Sequence, residues 1–233
     1  MTKNIKNIFF SILILSLYAC ENTKNEEKTN SITILPTLDS TAITTTEIYP
    51  DSLIDISVVA GKKFSVLHSK ISFDDLQKIF GEQHVKTYRD TISGKAYATS
   101  VLFETQPNEL QITWHNEELL QYPNYCYFKH PQAVWQADKG IKIGTTLAEI
   151  VKMNEKAVEI VGLGSRYEGG LIRFKGGKLQ EFSKYYNLFV GYDATDLPKI
   201  DKSLLGENSF DSQNVLLKNL NLKVVKIQAY LNK

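Results

Sequence analysis

His68, His84, His115 and His130 are the side chains of this chain best suited to hold a metal, and no pair of them has the helical or strand spacing that suits one. Zinc sites gather His and Cys ligands at short intervals. Here the histidines are scattered and the two cysteines, Cys20 and Cys126, stand far apart, so no metal is expected. A serine nucleophile on a strand-to-helix elbow needs Gly-x-Ser-x-Gly. In "GLGSRYEGG" Ser165 follows Gly164 directly, which breaks that spacing. A phosphate loop closes its glycines on a Lys-Ser/Thr pair. This stretch has none, so Gly162, Gly164, Gly169 and Gly170 read as turn residues. Asp74 and Asp75 could form an acid/base pair, yet they fall in the first turn of a predicted helix, where the dipole already favours negative charge. Cys126, in "YPNYCYF", has no basic neighbour to lower its pKa and reads as a buried, inert thiol.

What remains is recognition chemistry. Arg166 and Tyr167 lie in the glycine-flanked "SRYEGG", and Arg and Tyr concentrate at binding hot spots. Trp135, in "PQAVWQADKG", is a third candidate for the same surface. The alternative is that Tyr167 and Trp135 simply pack where two halves of the fold meet, since aromatic side chains commonly serve cores.

The elements that must position these residues follow from hydrophobic period and capping. "KISFDDLQKIFGE" and "GTTLAEIVKMNE" each open on a hydroxyl residue, Ser72 or Thr146, with an acid three positions later, Asp75 or Glu149. That is the capping-box spacing. Phe73, Leu76, Ile79 and Phe80, then Leu147, Ile150, Val151 and Met153, supply apolar stripes at helical period. Gly81 is the predicted terminator of the first helix, and Asn154 the candidate terminator of the second.

Strand-like runs follow each helix. "YATSVLF" sets Tyr97, Thr99, Val101 and Phe103 on one face, and "ELQITW" groups Leu110, Ile112 and Trp114. "LIRFKGGKLQEF" reads as a hairpin about Gly176 and Gly177, and "YYNLFVGY" as a further strand. "IDISVVAGKKFSVL" is a predicted first strand, "FDSQNVLLKNLN" a short helix, and "KVVKIQAYL" a closing strand with Val225, Ile227, Ala229 and Leu231 opposite Lys226, Gln228 and Tyr230. An offset of 74 residues lays Ser72 over Thr146 and Tyr97 over Leu171. The expected fold is α+β: two tandem units, each a short helix followed by an antiparallel meander, forming one or two packed sheets.

The N-terminus carries a different signal. Lys3 and Lys6 precede the apolar run Ile8 to Ala19, the layout of a secretory signal. The run is shorter than the roughly 20 apolar residues of a membrane-spanning helix. It ends in Leu17, Tyr18, Ala19 and Cys20, which resembles the bacterial lipobox, although Tyr18 is bulkier than the residue usual there. That resemblance implies cleavage before Cys20 and its acylation. With Cys20 acylated, Cys126 has no intramolecular disulfide partner. From Glu21 to about Asp51 the chain is rich in Thr, Asn, Ser and Glu, a tether with a coil reach of about 30 Å. Lys24, Glu26 and Glu27 resemble the acidic signals that send some lipoproteins to the cell surface.

"GKKFSVL", "DLQKIFGE", "QPNELQITW", "GIKIGTTLAEIVKMN" and "FKGGKL" together resemble a family of uncharacterised bacterial lipoproteins over roughly Gly61 to Leu231. The helix-plus-meander unit is similar to the outer-membrane assembly lipoproteins of the SmpA/OmlA type, and two in tandem are similar to the β-lactamase-inhibitor protein fold. Where that lipoprotein family carries a Gly-aromatic-Gly-Trp-Asp-Tyr run, this chain has "GLGSRY", Gly162 to Tyr167, so no role for that tryptophan or aspartate carries over.

The expected organisation is a signal peptide over 1–19, a lipidated N-terminus and tether over 20–51, a first helix-sheet unit over 52–135 and a second over 136–233. Lys+Arg 27 against Asp+Glu 26 gives no summed field to attract nucleic acid. The chain is therefore expected to be a non-enzymatic binding or assembly module without a cofactor, held at the outer membrane by lipid on Cys20 and facing the periplasm or the cell surface. Its expected partner is an envelope protein, glycan or lipid. The alternative is a protein inhibitor of an exported hydrolase, which the tandem-unit resemblance implies. An enzyme whose site is assembled from distant residues is a third possibility.

Overall fold

Ser72 and Thr146 act as their spacing predicts. In the computed structural model, which describes residues 58–59, 61, 63–92, 95–164, 169–193, 196 and 199–231, Ser72 Oγ accepts the Asp75 amide at 3.2 Å and the Asp75 carboxylate accepts the Ser72 amide at 3.1 Å. Thr146 and Glu149 repeat the exchange at 3.2 and 2.7 Å. Each box satisfies two amides that would otherwise lack partners where a helix begins. They open α1 (Phe73–Phe80) and α2 (Leu147–Asn154). Gly81 ends α1 at φ 88°, its amide donating to the Gln77 carbonyl at 2.8 Å.

The end of α2 differs from expectation. Glu155, not Asn154, takes the left-handed conformation, at φ 55°. Asn154 is fully buried and its amide group is engaged: Nδ2 donates to the carbonyls of Lys156 and Gly176 at 3.0 and 3.1 Å, and Oδ1 accepts the Leu179 amide at 2.9 Å. A side chain tied to three backbone groups holds its own residue in the last helical turn and passes the turn to its neighbour.

Before α1, "IDISVVAGKKFSVL" yields not one strand but three short ones, β1 (Val58–Val59), β2 (Lys63–Phe64) and β3 (Leu67–His68), in a small antiparallel sheet. Positive φ at Gly61 and Ser65 reverses the chain twice. The remaining strands are β4 (Val85–Ile92), β5 (Lys95–Leu102), β6 (Leu110–Asn116), β7 (Gln121–Phe128), β8 (Glu159–Val161), β9 (Gly170–Arg173), β10 (Tyr186–Gly191), β11 (Ser209–Asp211) and β12 (Lys223–Tyr230). Among the described residues they form one sheet in the order β11-β8-β9-β10-β12-β7-β6-β5-β4, antiparallel throughout. The fold is α+β. Every described residue lies within the compact unit Glu47–Lys233.

Alternation sorts the sheet into two faces. One row of register partners runs Ser100, Ile112, Cys126, Ala229, Tyr186, and every member is buried. This face shares its core with Leu76 and Phe80 of α1 and with Leu147 and Ile150 of α2. Phe64 of β2 joins it, 5.6 Å from the rings of both Phe128 and Trp135.

Three sequence expectations change here. Phe103 leaves the face of Tyr97, because φ of 50° turns it into the core, edge-on to Phe80 at 5.4 Å. The hairpin partner of β9 is β10; the run after Gly177 is a turn leading to a 3₁₀ segment, Phe182–Lys184. "FDSQNVLLKNLN" forms β11 and a 3₁₀ turn, Val215–Leu217, that Asn214 caps by accepting the Leu216 amide at 2.9 Å.

Candidate functional site

The second face of the sheet carries none of the helical core residues. Its side chains come from positions one step out of phase with the buried ones, and the registers lay them in rows. One row is Lys86, Val101, Gln111, Tyr127, Gln228, Asn187; the next is Tyr88, Thr99, Thr113, Tyr125, Tyr230; a third begins with Asp90 opposite Tyr97. The row through Ser100 and Ile112 is dry, whereas Tyr88 is 49% exposed and Tyr97 38%.

Hydrogen bonds and ring contacts hold these aromatics in place. Tyr125 lies 5.9 Å from Tyr230 edge-on and 6.4 Å from Tyr127. The Tyr230 hydroxyl accepts Asn187 Nδ2 at 3.0 Å, and the Tyr127 hydroxyl donates to Gln111 Oε1. Lys226 Nζ stands 4.5 Å from the Phe189 ring centre and 5.6 Å from that of Tyr127, a cation over two aromatic faces.

At the β4–β5 end the face dips into a depression of about 470 Å³ lined by Tyr88, Asp90, Tyr97, Glu104, Glu109 and Tyr127 among others. Glu104 accepts Lys86 Nζ at 2.7 Å and the Tyr88 hydroxyl at 2.5 Å. These bonds, Lys86 first, hold the Glu104 carboxyl below the usual carboxylate range, and the same pairing raises Lys86 and Tyr88. Phe103 and Thr105 flank Glu104 with φ of 50° and 67°, a conformation that costs non-glycine residues energy. Glu109 answers part of that cost by accepting the Thr105 amide at 2.7 Å, and it also accepts Gln111 Nε2 at 2.7 Å.

The residues nominated from sequence fare differently. Trp135 belongs to the core: it is 4% exposed, packs on Phe64, and donates its indole N–H to the Asn108 carbonyl at 3.1 Å. Packing consumes it, and it leaves the candidate surface. Arg166, Tyr167 and Cys20 lie outside the described residues. Asp75 caps α1, and Cys126 is fully buried, its thiol pKa pushed up by that burial. Among the described residues no group of three or more His, Cys, Asp or Glu is placed to hold a metal ion, and no helix is long and apolar enough to cross a membrane. The tyrosine face escaped sequence reasoning because its members run from position 86 to position 230. The available signal was alternation: Tyr97, Thr99 and Val101 on one strand, Lys226, Gln228 and Tyr230 on another.

No protein-family model and no curated protein matches the chain. Among solved structures it is similar to that of the uncharacterized protein yfeY from Escherichia coli, at 12% sequence identity and a TM-score of 0.45, over 73% of this chain and 95% of that one.

Proposed function

We propose that this protein is a non-catalytic recognition module of the cell envelope, tethered through lipid on Cys20 and binding a partner protein with the open face of its sheet. The observation that carries this reading is the rows of partly exposed tyrosines on the second face of the sheet. Soluble domains bury large rings where they can, and tyrosine offers contact area at low entropic cost, so rows of partly exposed tyrosines suit a binding surface. The signal, the lipobox-like "LYAC" and the polar tether support the anchored part of the reading.

Within this reading the chain is a tandem pair of helix-plus-meander units, as in the SmpA/OmlA and β-lactamase-inhibitor likenesses. Support comes from matched order: α1 then β4, β5, β6, β7, and α2 then β8, β9, β10, β12, with β11 added at the outer edge. Tyr97 and Leu171, paired by the sequence offset, fall on β5 and β9. Inhibition of an exported hydrolase is the variant of this function that the second likeness suggests, and a screen against periplasmic hydrolases separates it from binding without inhibition.

Site-specific photo-crosslinking tests the face. A crosslinker at position 97 of the full chain in intact cells should capture a defined envelope protein, whereas one at Lys78, exposed on α1, should not. Silence at position 97, or the same products from both positions, would count against the sheet face as the contact surface.

A further inference from the structure

β4 is an edge of the large sheet, and it is neither short nor broken. The opposite edge, β11, is three residues long, whereas β4 runs for eight, contains no proline, and pairs with β5 along its whole length without a register shift. Such a strand offers its outer amides and carbonyls as a template for another chain. The His84 carbonyl accepts the Phe103 amide at 3.0 Å, so by antiparallel alternation Lys86, Tyr88 and Asp90 turn their backbone groups toward β5. Val85, Thr87, Arg89 and Thr91 turn theirs outward. The Val85 amide is taken by the Glu82 carbonyl, and the Thr91 amide by the Asp90 carboxylate at 2.7 Å. No strand among the described residues pairs with Thr87 and Arg89 on the outer side, and Lys86, Tyr88, Arg89, Asp90 and Thr91 are exposed.

The order of charges on this edge selects the chain that fits it. A two-fold antiparallel pair of β4 strands must have its axis at a residue, because outward backbone groups must meet outward groups. An axis at Arg89 sets Arg89 against Arg89, and one at Asp90 sets Asp90 against Asp90. Like charges directly opposite are destabilising. An axis at Thr87 shortens the overlap to residues 85–89. An axis at Tyr88 pairs residues 85–91 and places Lys86 opposite Asp90 of the second copy, Asp90 opposite its Lys86, and Tyr88 against Tyr88. Thr87 and Arg89 then exchange amide and carbonyl bonds with Arg89 and Thr87 of the second copy. The Thr91 amide passes to the Val85 carbonyl across the seam, which releases the Asp90 carboxylate to Lys86. Lys86 already donates to Glu104 at 2.7 Å, so each ammonium group is shared between two carboxylates.

We infer that β4 is the seam of a homodimer, in which the β4 strands of two copies of this chain pair antiparallel about a two-fold axis at Tyr88. The self-complementary order of Lys86, Tyr88 and Asp90 favours a second copy over a foreign strand, because one sequence supplies both halves of each ion pair. The sheet then continues from copy to copy, and the row through Tyr88, Tyr125 and Tyr230 runs on across the seam on the same side. The inference goes beyond the recognition reading and does not rest on it.

Sedimentation of the purified full-length chain over a concentration series should show a monomer–dimer equilibrium. Asp90→Lys and Lys86→Glu each set like charge against like at both ends of the seam, and each should weaken the dimer about tenfold or more. An equimolar mixture of the two variants restores opposite charges across the seam and should recover a mixed dimer near the parent affinity. Tyr88→Cys tests the axis apart from charge, since partners that share no backbone hydrogen bonds stand close enough for a disulfide. Mild oxidation should join its copies covalently, well above the yield from Tyr122→Cys, a position exposed on β7 away from the edge. A chain that stays monomeric, a dimer that ignores both charge variants, a mixture that does not pair, or equal crosslinking at the two cysteine positions overturns the inference. A charge variant that fails to fold leaves Tyr88→Cys to decide. The recognition reading has a different readout, the envelope protein captured at position 97, and its failure leaves the seam standing.

Discussion

Gly177 and Asn154 show how closely a single position can be constrained. Gly177 sits at φ 90°, and a Cβ built there would lie 2.3 Å from the Asn154 carbonyl oxygen, a distance no packed atoms tolerate. Strain and clash act together, so Gly177→Ala should lower stability by about 2 kcal/mol or more. Asn154→Ala should cost a similar amount, about 2 kcal/mol, because it leaves the buried Leu179 amide without its acceptor. Urea unfolding of both variants checks the pair. Since they act on one junction, the double variant should lose less than the sum of the two. The glycine was legible as a turn residue from "KGG"; the asparagine's role was not, because its partners are 2 to 25 residues away. At the same scale the hidden quality of Cys126 was readable from its neighbours, whereas the burial of Trp135 depended on Phe64 and Asn108, which no local pattern links to it.

At the scale of elements, the helices owe their starts to local chemistry and the sheet owes its width to distant pairing. Ser72→Ala and Thr146→Ala should each cost about 1 kcal/mol, the usual worth of an N-cap. The acids of the two boxes add a pH signature. Asp75 and Glu149 have pKa values below the ordinary carboxylate range, Asp75 mainly through its bond from the Ser72 side chain and Glu149 mainly through the Thr146 backbone amide. A carboxyl whose pKa falls on folding stabilises the fold fully above its unfolded pKa. The contribution of both boxes should therefore be complete at neutral pH, weaken as pH drops through about 4, and vanish below the depressed folded values. A denaturation series across that window should show a shallower acid loss in the Asp75→Asn, Glu149→Gln double variant than in the parent. The 8-residue lengths of α1 and α2 were close to what the apolar stripes implied. Two elements were misread because the deciding contacts lie elsewhere: β1 to β3 break at left-handed residues, and the stretch after Gly177 is held by Asn154 instead of by a strand partner.

Across the whole molecule, β12 is the strand on which the two sides of the large sheet meet. It pairs with β10 on one side and with β7 on the other, so the last strand of the sequence lies at the centre of the sheet. Ile227, fully buried on β12, faces Phe128 and Leu188 in register. Ile227→Ala should destabilise the domain by about 2 to 5 kcal/mol, and tryptophan fluorescence and circular dichroism should report one coincident transition before and after the substitution. Two separated transitions would mean that the halves fold independently. The N-terminal expectation belongs to this scale too. Fatty-acid label should appear on the full chain and disappear in Cys20→Ala; label retained on that variant would remove the lipid anchor from the proposed function.

What the sequence determined by itself is what depends on neighbours a few positions apart. Ser72, Asp75, Thr146 and Glu149 set the helix starts, and the β-rich runs "YATSVL" and "ELQITW" set strands, because capping and pleat act within three residues. Only the tertiary structure decided that β12 returns to the middle, that Trp135 is core, and that Tyr88, Tyr97, Tyr125, Tyr127 and Tyr230 share one open face with Asp90. Register between strands far apart in sequence fixes those positions, and register is set by the burial of the opposite face, which a chain acquires only when it folds.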